Sequence, residues 1–566
     1  MIKIYSYLWK ILLPKEKQVA IFLVFLILIQ GFLELVSVTS IYPLFAVIAD
    51  TNIIETNKLL NYLYINLGFS NINYFLVFLT ITSFLIITFR TFFSLFNYYL
   101  LTRFVRMRTH LISLRLLTSF VNQPYLFFIN KHSSELSKTI LSEVEQVIQG
   151  CLMPGIDLIA QFSISISIIF AVLIINPLIT FLPLLGIIIF YTVIVFLLRK
   201  QTFNLGENRN AYNAKRYKVT QELFAGIKEV KLSNNEDTYF NEFKLSSLNY
   251  SKLFIKLTLF RDAPRYLLEL ISVGALFSVI ISLLFNSSRN INDILPSISV
   301  FGFAGIRILP SFQKLYQAFI IMEFNLSALV SLKESLLNLK NKKVKINNKF
   351  LKLTKNLEIN NVYYSYPNQD GFALKNINMN IKSKTSIGIV GATGAGKSTI
   401  LDIIVGLLTP DSGELKVDGK KLTNKNVSAW HKSIGYVSQD IFISDDTISK
   451  NIALGINEKD IDYNRLEKAA KQADIFNFIT NELPNQFETY LGERGIRISG
   501  GQKQRIGIAR ALYLDPEVII LDEATSSLDN QTEKKIIDSL KELTHKKTII
   551  TTVSYTHLTL PTMFEV

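Results

Sequence analysis

Six apolar runs, each about as long as a bilayer is thick, constrain what this chain can fold into more than any other feature. They fall near residues 19–41, 74–96, 158–175, 180–198, 266–284 and 294–319. A hydrocarbon core about 30 Å thick calls for roughly 20 apolar residues in a helix, and backbone immersed in lipid must satisfy its own hydrogen bonds. The runs therefore predict six membrane-spanning helices, since they are too long for ordinary soluble core helices. The third and fourth are separated only by Asn176 and Pro177, which predicts a tight helical hairpin. Lys3, Lys10, Lys15 and Lys17 precede or open the first run, which continues past Leu35 without a small-residue cleavage site. It reads as a retained helix and not as a cleaved signal peptide.

Charge gives the orientation. Arg103, Arg106, Arg108, Arg115, Lys131 and Lys138 follow the second run. Arg199, Lys200, Arg209, Lys215, Arg216, Lys218, Lys228 and Lys231 follow the fourth. The loop 50–73 has Lys58 as its only base, and the loop between the fifth and sixth runs has Arg289. Basic loops stay in the cytoplasm, so both termini are expected there. The two basic connections are longer than a membrane hairpin requires. One reading is a loose basic loop. Apolar residues at helical spacing (Leu223, Phe224, Ile227, Val230) favour helices that run past the bilayer and turn at crosswise segments near 125–135 and 224–236. The net charge of +15 is concentrated in these loops, which points to a membrane surface and away from nucleic acid. One cysteine, Cys151, and five scattered histidines leave no disulfide framework and no Cys- or His-based metal site.

Composition changes near Ser331. We expect a transmembrane domain over 1–330, a Lys- and Asn-rich linker over 331–354 and a soluble α/β domain over 355–566. In that last domain the β-branched run 387–390 leads into Gly391, Ala392, Thr393, Gly394, Ala395, Gly396, Lys397 and Ser398, and a helix-forming run follows. This is P-loop spacing. Glycines let backbone N–H groups turn inward around phosphates, and the helix presents its positive N-terminus. Lys397 is placed to reach the β- and γ-phosphates of ATP and Ser398 to ligate Mg²⁺, with Gly394 and Thr399 extending the cradle. Downstream, the four apolar residues 518–521 end in Asp522 and Glu523, as a buried parallel strand delivering two carboxylates would. Asp522 is the candidate Mg²⁺ holder, through water, and Glu523 the candidate general base.

Upstream of that strand, Ser499, Gly500, Gly501 and Gln502 open a basic helical segment. Small residues at a helix N-terminus make an anion-binding surface. A second phosphate-reading surface beside a complete P-loop makes sense if it serves the nucleotide of another copy, which predicts a dimer.

The ordered set GATGAGKST, YVSQD, GERGIRISGGQ and VIILDEATSSLD resembles that of ATP-binding cassette (ABC) transporters of the exporter kind, and the likeness spans the whole chain. It implies a multi-domain fold: a six-helix α-helical transmembrane domain of the type IV exporter class, then an α/β P-loop ATPase. It implies a homodimer in a bacterial inner membrane, with cytoplasmic cassettes that hydrolyse ATP with Mg²⁺ and drive alternating access. It further implies that Tyr366 stacks on adenine. Gln439 would touch Mg²⁺ and the γ-phosphate while contacting the membrane domain. The segment Gly492-Glu493-Arg494-Gly495 would meet the crosswise helices, and Ser527, Leu528 and Asp529 would cross the dimer interface. Ile498 stands where the family has leucine, a volume-conserving change. Ser554 stands where the family has a γ-phosphate-binding histidine; His557 is three residues late, roughly 10 Å along a strand. On that comparison the cassette is C-terminally truncated, leaving open a membrane protein that binds ATP without turnover.

Substrate choice rests on Arg90, Arg265 and Arg307, near or within apolar runs. A charge at mid-bilayer depth costs roughly 3 kcal/mol or more and normally faces a cavity or a partner. Arginine's planar fork suits phosphate oxygens. Arg90 and Arg265 are alternatively helix-end or snorkelling residues. The segments FRTFFSLFNYYLLTRF, IRILPSFQKLYQAF and FLELVSVTSIYPLF resemble the bacterial flippases of lipid-linked oligosaccharides, whose cavity arginines engage the lipid diphosphate. The resemblance implies an amphipathic lipid-linked substrate; the alternative is an exporter of peptides, drugs or siderophores.

Overall fold

A helix rises 1.5 Å per residue, so fifty residues make a rod of about 75 Å, more than twice the apolar thickness of a bilayer. The computed structural model contains several such rods. It describes residues 2–49, 51–131, 133–175, 177–285, 291–338, 350–367, 371–392, 394–524, 530–543, 545–553 and 563–565. The chain divides into two compact units: Met1–Gln123 with Lys131–Asn341, and Pro124–Asn130 with Lys342–Val566.

In the first unit all six expected spans lie in long helices: Pro14–Thr39, Ile72–Val121, Met153–Ile175, Pro177–Ala225, Glu236–Phe285 and Ile291–Asn338. Among the described residues, five helical stretches are long and apolar enough to cross a membrane. The remaining expected span, 266–284, lies within Glu236–Phe285, where part of the side chains fall outside the described residues. Proline opens the first long helix, and the Leu13 N–H donates to the Glu16 carboxylate (2.8 Å), satisfying an end group the helix leaves free. The third and fourth helices end at Ile175 and restart at Pro177; Asn176, the expected corner, lies outside the described residues.

The second, fourth and fifth helices have 50, 49 and 50 residues, so each extends well past a bilayer, as the long basic connections predict. Short helices Tyr125–Ile129 and Ser133–Lys138 break the first connection, and Ile227–Ser233 breaks the second. The sixth helix continues to Asn338, into the stretch read as linker, because SLKESLLN is itself a good helix former. Leu253, Leu257, Leu268, Tyr316, Ile320 and Phe324 pack with Ile187, Tyr191 and Leu205 in one buried cluster. At Gly206 the fourth and sixth helices come so close that a Cβ would stand 2.0 Å from the Phe324 carbonyl oxygen.

The second unit holds two sheets. Strands β1 (Asn356–Tyr364), β2 (Leu374–Lys382), β3 (Ser386–Val390), β4 (Ser412–Val417), β5 (Lys420–Lys421), β6 (Ile434–Val437), β7 (Val518–Asp522), β8 (Thr548–Val553) and β9 (Met563–Glu565) form an antiparallel sheet ordered β2-β1-β4-β5 and a parallel sheet ordered β6-β7-β8-β3-β9. Every residue of β7 is buried, which is why the strand reads as an unbroken apolar run. Parallel strands bring their carboxyl ends to one edge, the place where α/β sheets carry ligands. The register sets Asp522 opposite Thr552 and Val390 opposite Val553.

Candidate functional site

At that edge the loop after β3 opens the helix Lys397–Val405. Gly394 and Gly396 take φ of +85° and +95°, conformations that glycine adopts without strain. At Gly396 space is also short: a Cβ would meet the Leu374 side chain at 2.8 Å and the Ala373 oxygen at 2.9 Å. Lys397 is buried, and its ammonium donates to the carbonyls of Gly391 (2.9 Å) and Ala392 (3.1 Å), holding the loop as a closed ring at the helix N-terminus. Thr399 shares a hydrogen bond with the Tyr366 hydroxyl (3.2 Å), and the Tyr366 ring stands edge-on to Tyr364. The aromatic expected at the base thus reaches the P-loop helix. Thr393 lies outside the described residues.

The carboxylates at the end of β7 differ in setting. Asp522 is buried; it accepts from the Thr552 hydroxyl (2.8 Å) and the Tyr436 hydroxyl (3.3 Å). Glu523 is more open and adopts φ of +49°, a left-handed conformation costly for a residue with a side chain. Its N–H donates to the same Thr552 hydroxyl (3.0 Å), and its carboxylate accepts from the Gln439 amide (2.9 Å). One hydroxyl therefore ties both acids to the neighbouring strand. Neither Thr552 nor Tyr436 was legible as a site residue, because only strand pairing brings them here. Asp402, on the P-loop helix, was also missed: burial, then the charge of Asp522, push its carboxyl up to about 6.

Ser499 caps the helix Gly500–Tyr513: its hydroxyl accepts from the Gln502 N–H (3.2 Å), and its own N–H donates to the Gln502 side chain (2.8 Å). This reciprocal pair fixes Gly500 and Gly501 at an exposed helix start. A groove of about 510 Å³ joins Gln439, Asp440 and Phe442 to Arg494, Gly500 and Lys503. Ser527, Leu528, Asp529, Ser554 and His557 lie outside the described residues.

In the membrane helices, Arg90 and Arg307 meet. The Arg90 guanidinium forks onto Oε2 of Glu34, and Arg307 Nη1 lies 3.5 Å from Oε1 of the same carboxylate. Glu34 is fully buried. Arg265 does not share this cluster; it pairs with Glu269 on its own helix (2.8 Å) at an exposed position. Glu34 belongs to no motif of its own in the sequence; it stands inside the run FLELVSVTSIYPLF.

A bundle of membrane helices followed by a P-loop ATPase in one polypeptide defines half of an ATP-driven membrane transporter. The ABC transporter transmembrane region model matches residues 20–305, and the ABC transporter model matches 374–526. The chain belongs to the ABC transporter family, as a fused half-transporter of the exporter type, and its cassette couples ATP hydrolysis to transport. It is 30% identical over 434 residues to the heterocyst differentiation ATP-binding protein HepA of Nostoc sp., covering 75% of this chain and 68% of that protein. It is 40% identical over 197 residues to the ATP-dependent lipid A-core flippase of Escherichia coli K12, covering 34% of this chain and only 33% of the flippase. The solved structure of a bacterial Atm1-family ABC exporter with ATP bound superposes with a TM-score of 0.75 at 19% identity, over 95% of this chain and 91% of that one, which establishes the fold.

Proposed function

We propose that this chain acts as a homodimer in a bacterial cytoplasmic membrane and uses ATP to flip a lipid-linked oligosaccharide whose anchor bears a diphosphate. The observation that carries the reading is the Arg90–Glu34–Arg307 cluster, two partly shielded guanidiniums on one fully buried carboxylate. Two guanidinium groups at membrane depth are costly and serve best where an oxyanion must be held away from water. The basic cytoplasmic connections support cytoplasmic cassettes.

In the cassette, Lys397 trades its loop carbonyls for β- and γ-phosphate oxygens, and Tyr366 supports adenine. Ser398, Asp522 and Gln439 would hold Mg²⁺, which neutralises charge developing on the phosphates. These groups fit a hydrated cation: a buried acid, a hydroxyl at the loop end and an amide already in reach of Glu523. Glu523 takes the proton of the attacking water. Ser499, Gly500, Gly501 and Gln502, with Asp529, serve the nucleotide bound to the second copy.

The test is flipping of a fluorescent polyprenyl-diphosphate glycan in proteoliposomes. Arg307→Ala should abolish flipping while the chain still binds MgATP. Flipping at the wild-type rate refutes the reading.

A further inference from the structure

A carboxylate in lipid is as costly as a guanidinium, so the presence of Glu34 between the two arginines requires its own account. Glu34 is 0% exposed, against 15% for Arg90 and 25% for Arg307. It is held unevenly. Both contacts from Arg90, through Nε and a terminal nitrogen, fall on Oε2. Oε1 accepts no hydrogen bond at all, and the Arg307 nitrogen facing it at 3.5 Å lies beyond normal bonding distance. Arg307 also rests its guanidinium over the Phe303 ring, 5.4 Å from the centroid, so it has a second support that does not depend on Glu34. One turn before Glu34 on the first helix, Gln30 accepts from the Asn97 amide (2.6 Å) on the second helix, while the Asn97 oxygen is buried without a donor. The first two helices thus meet along a polar seam whose bonding is incomplete at both rungs.

The charge sum is decisive. Two arginines and one glutamate leave the cluster at +1. An incoming diphosphate, with several oxygens and more than one negative charge, is best met by both guanidiniums at once. It can engage them fully only by displacing the glutamate, whose loosely held side is the one facing Arg307. A site of two unneutralised arginines would bind a diphosphate tightly and release it slowly. A site that returns to an internal partner releases it, and a transporter must both bind and let go.

We infer that Glu34 is the resident counter-ion of the substrate site: it holds Arg90 and Arg307 ready in the absence of substrate, yields them to the substrate's phosphate oxygens, and reclaims them at release. This rests on the lipid-diphosphate reading for the identity of the substrate, but not for the competition between an internal and an external oxyanion. Glu34 is on this account a specificity and positioning residue that sets affinity against turnover.

The experiment compares the full-length protein with Glu34→Gln in nanodiscs, measuring binding of undecaprenyl diphosphate, phosphatidate and uncharged undecaprenol, and flipping of the diphosphate lipid. Glu34→Gln should bind undecaprenyl diphosphate at least about tenfold more tightly, leave undecaprenol unchanged, and flip more slowly despite binding better. Equal or weaker binding of both anionic lipids by Glu34→Gln overturns the proposal and makes Glu34 a scaffold for the arginines. If wild type prefers phosphatidate to the diphosphate lipid, the substrate reading fails, while tighter phosphatidate binding by Glu34→Gln still upholds the counter-ion role. Indifference of both proteins to anionic lipids overturns both. Should Glu34→Gln not fold, Glu34→Asp keeps the charge but draws it back by one methylene. It is expected to tighten anionic-lipid binding by a smaller factor, and no tightening overturns the proposal.

Discussion

The hydroxyl of Thr552 joins two strands and two acids, and its removal has a calculable consequence. Thr552 is 1% exposed; it accepts from the Glu523 N–H at 3.0 Å and donates to Asp522 at 2.8 Å. Valine has nearly the same shape and neither capacity. Thr552→Val removes the hydroxyl that accepts from the part-buried Glu523 N–H, at about 1–3 kcal/mol, and removes a donor from a carboxylate, at about 1.5–3 kcal/mol. The extra buried methyl returns roughly 1 kcal/mol. Asp522 keeps its bond from Tyr436, so part of its loss is absorbed. A net penalty of about 2–3 kcal/mol remains, and it falls on the backbone that holds Glu523 at φ of +49°. Expressed in the transition state, that is a fall of roughly 30- to 150-fold in kcat/KM for ATP. The assay is phosphate release by the full-length protein in nanodiscs, with Thr552→Ser as the hydroxyl-retaining control. Serine should stay close to wild type. If Thr552→Val hydrolyses ATP within about threefold of wild type, corresponding to less than about 1 kcal/mol, the bridging role is wrong.

Glu523→Gln should bind ATP with little change and lose hydrolysis by about 10²- to 10⁴-fold; phosphate release at the wild-type rate would remove Glu523 from the role of base. Gly396→Ala meets both a left-handed φ and two contacts under 3 Å, so it should cost about 1–3 kcal/mol and weaken ATP binding, read by titration with a fluorescent nucleotide. Asp418 is pushed upward by burial, but hydrogen bonds from Thr354 and from the N–H groups of Thr354, Lys355 and Asn356 outweigh this and hold its carboxyl below the usual range. A depressed folded value stabilises above the unfolded pKa and is lost as pH falls through the folded one. Asp418→Asn should therefore melt lower than wild type at pH 7, and the gap should close as the pH drops below about 4; a gap that widens in acid contradicts the assignment.

What was legible in the sequence follows a physical division between local and distant causes. The long helices that hold the six apolar runs, and the strand Ser386–Val390 followed by the helix Lys397–Val405, are local: bilayer length, strand–turn–helix order and glycine spacing act within twenty residues or so, and the structure has these elements where that logic puts them. Ser499 and Gln502 read in the sequence only as an anion-binding helix start; the cap they form is equally local, since it needs only a three-residue interval. Thr552 was not legible, because its position beside Asp522 depends on which strands of the parallel sheet are neighbours. The arginines show the same division more sharply. Sequence alone says that Arg90 and Arg307 each need a partner or a cavity, and leaves the choice open. Yet Glu34 is the only charged residue in the run 19–41, and Arg90 the only one in 74–96. The cost of burying each alone is large enough that opposite charges in different spans should be matched to each other before either is assigned to a ligand. Applied to the first two runs, that rule pairs Glu34 with Arg90; Glu269 and Lys314 in the fifth and sixth runs leave the place of Arg307 to be set by the fold. The question for any substrate then shifts from whether arginines attract it to whether it can outcompete a carboxylate already in place.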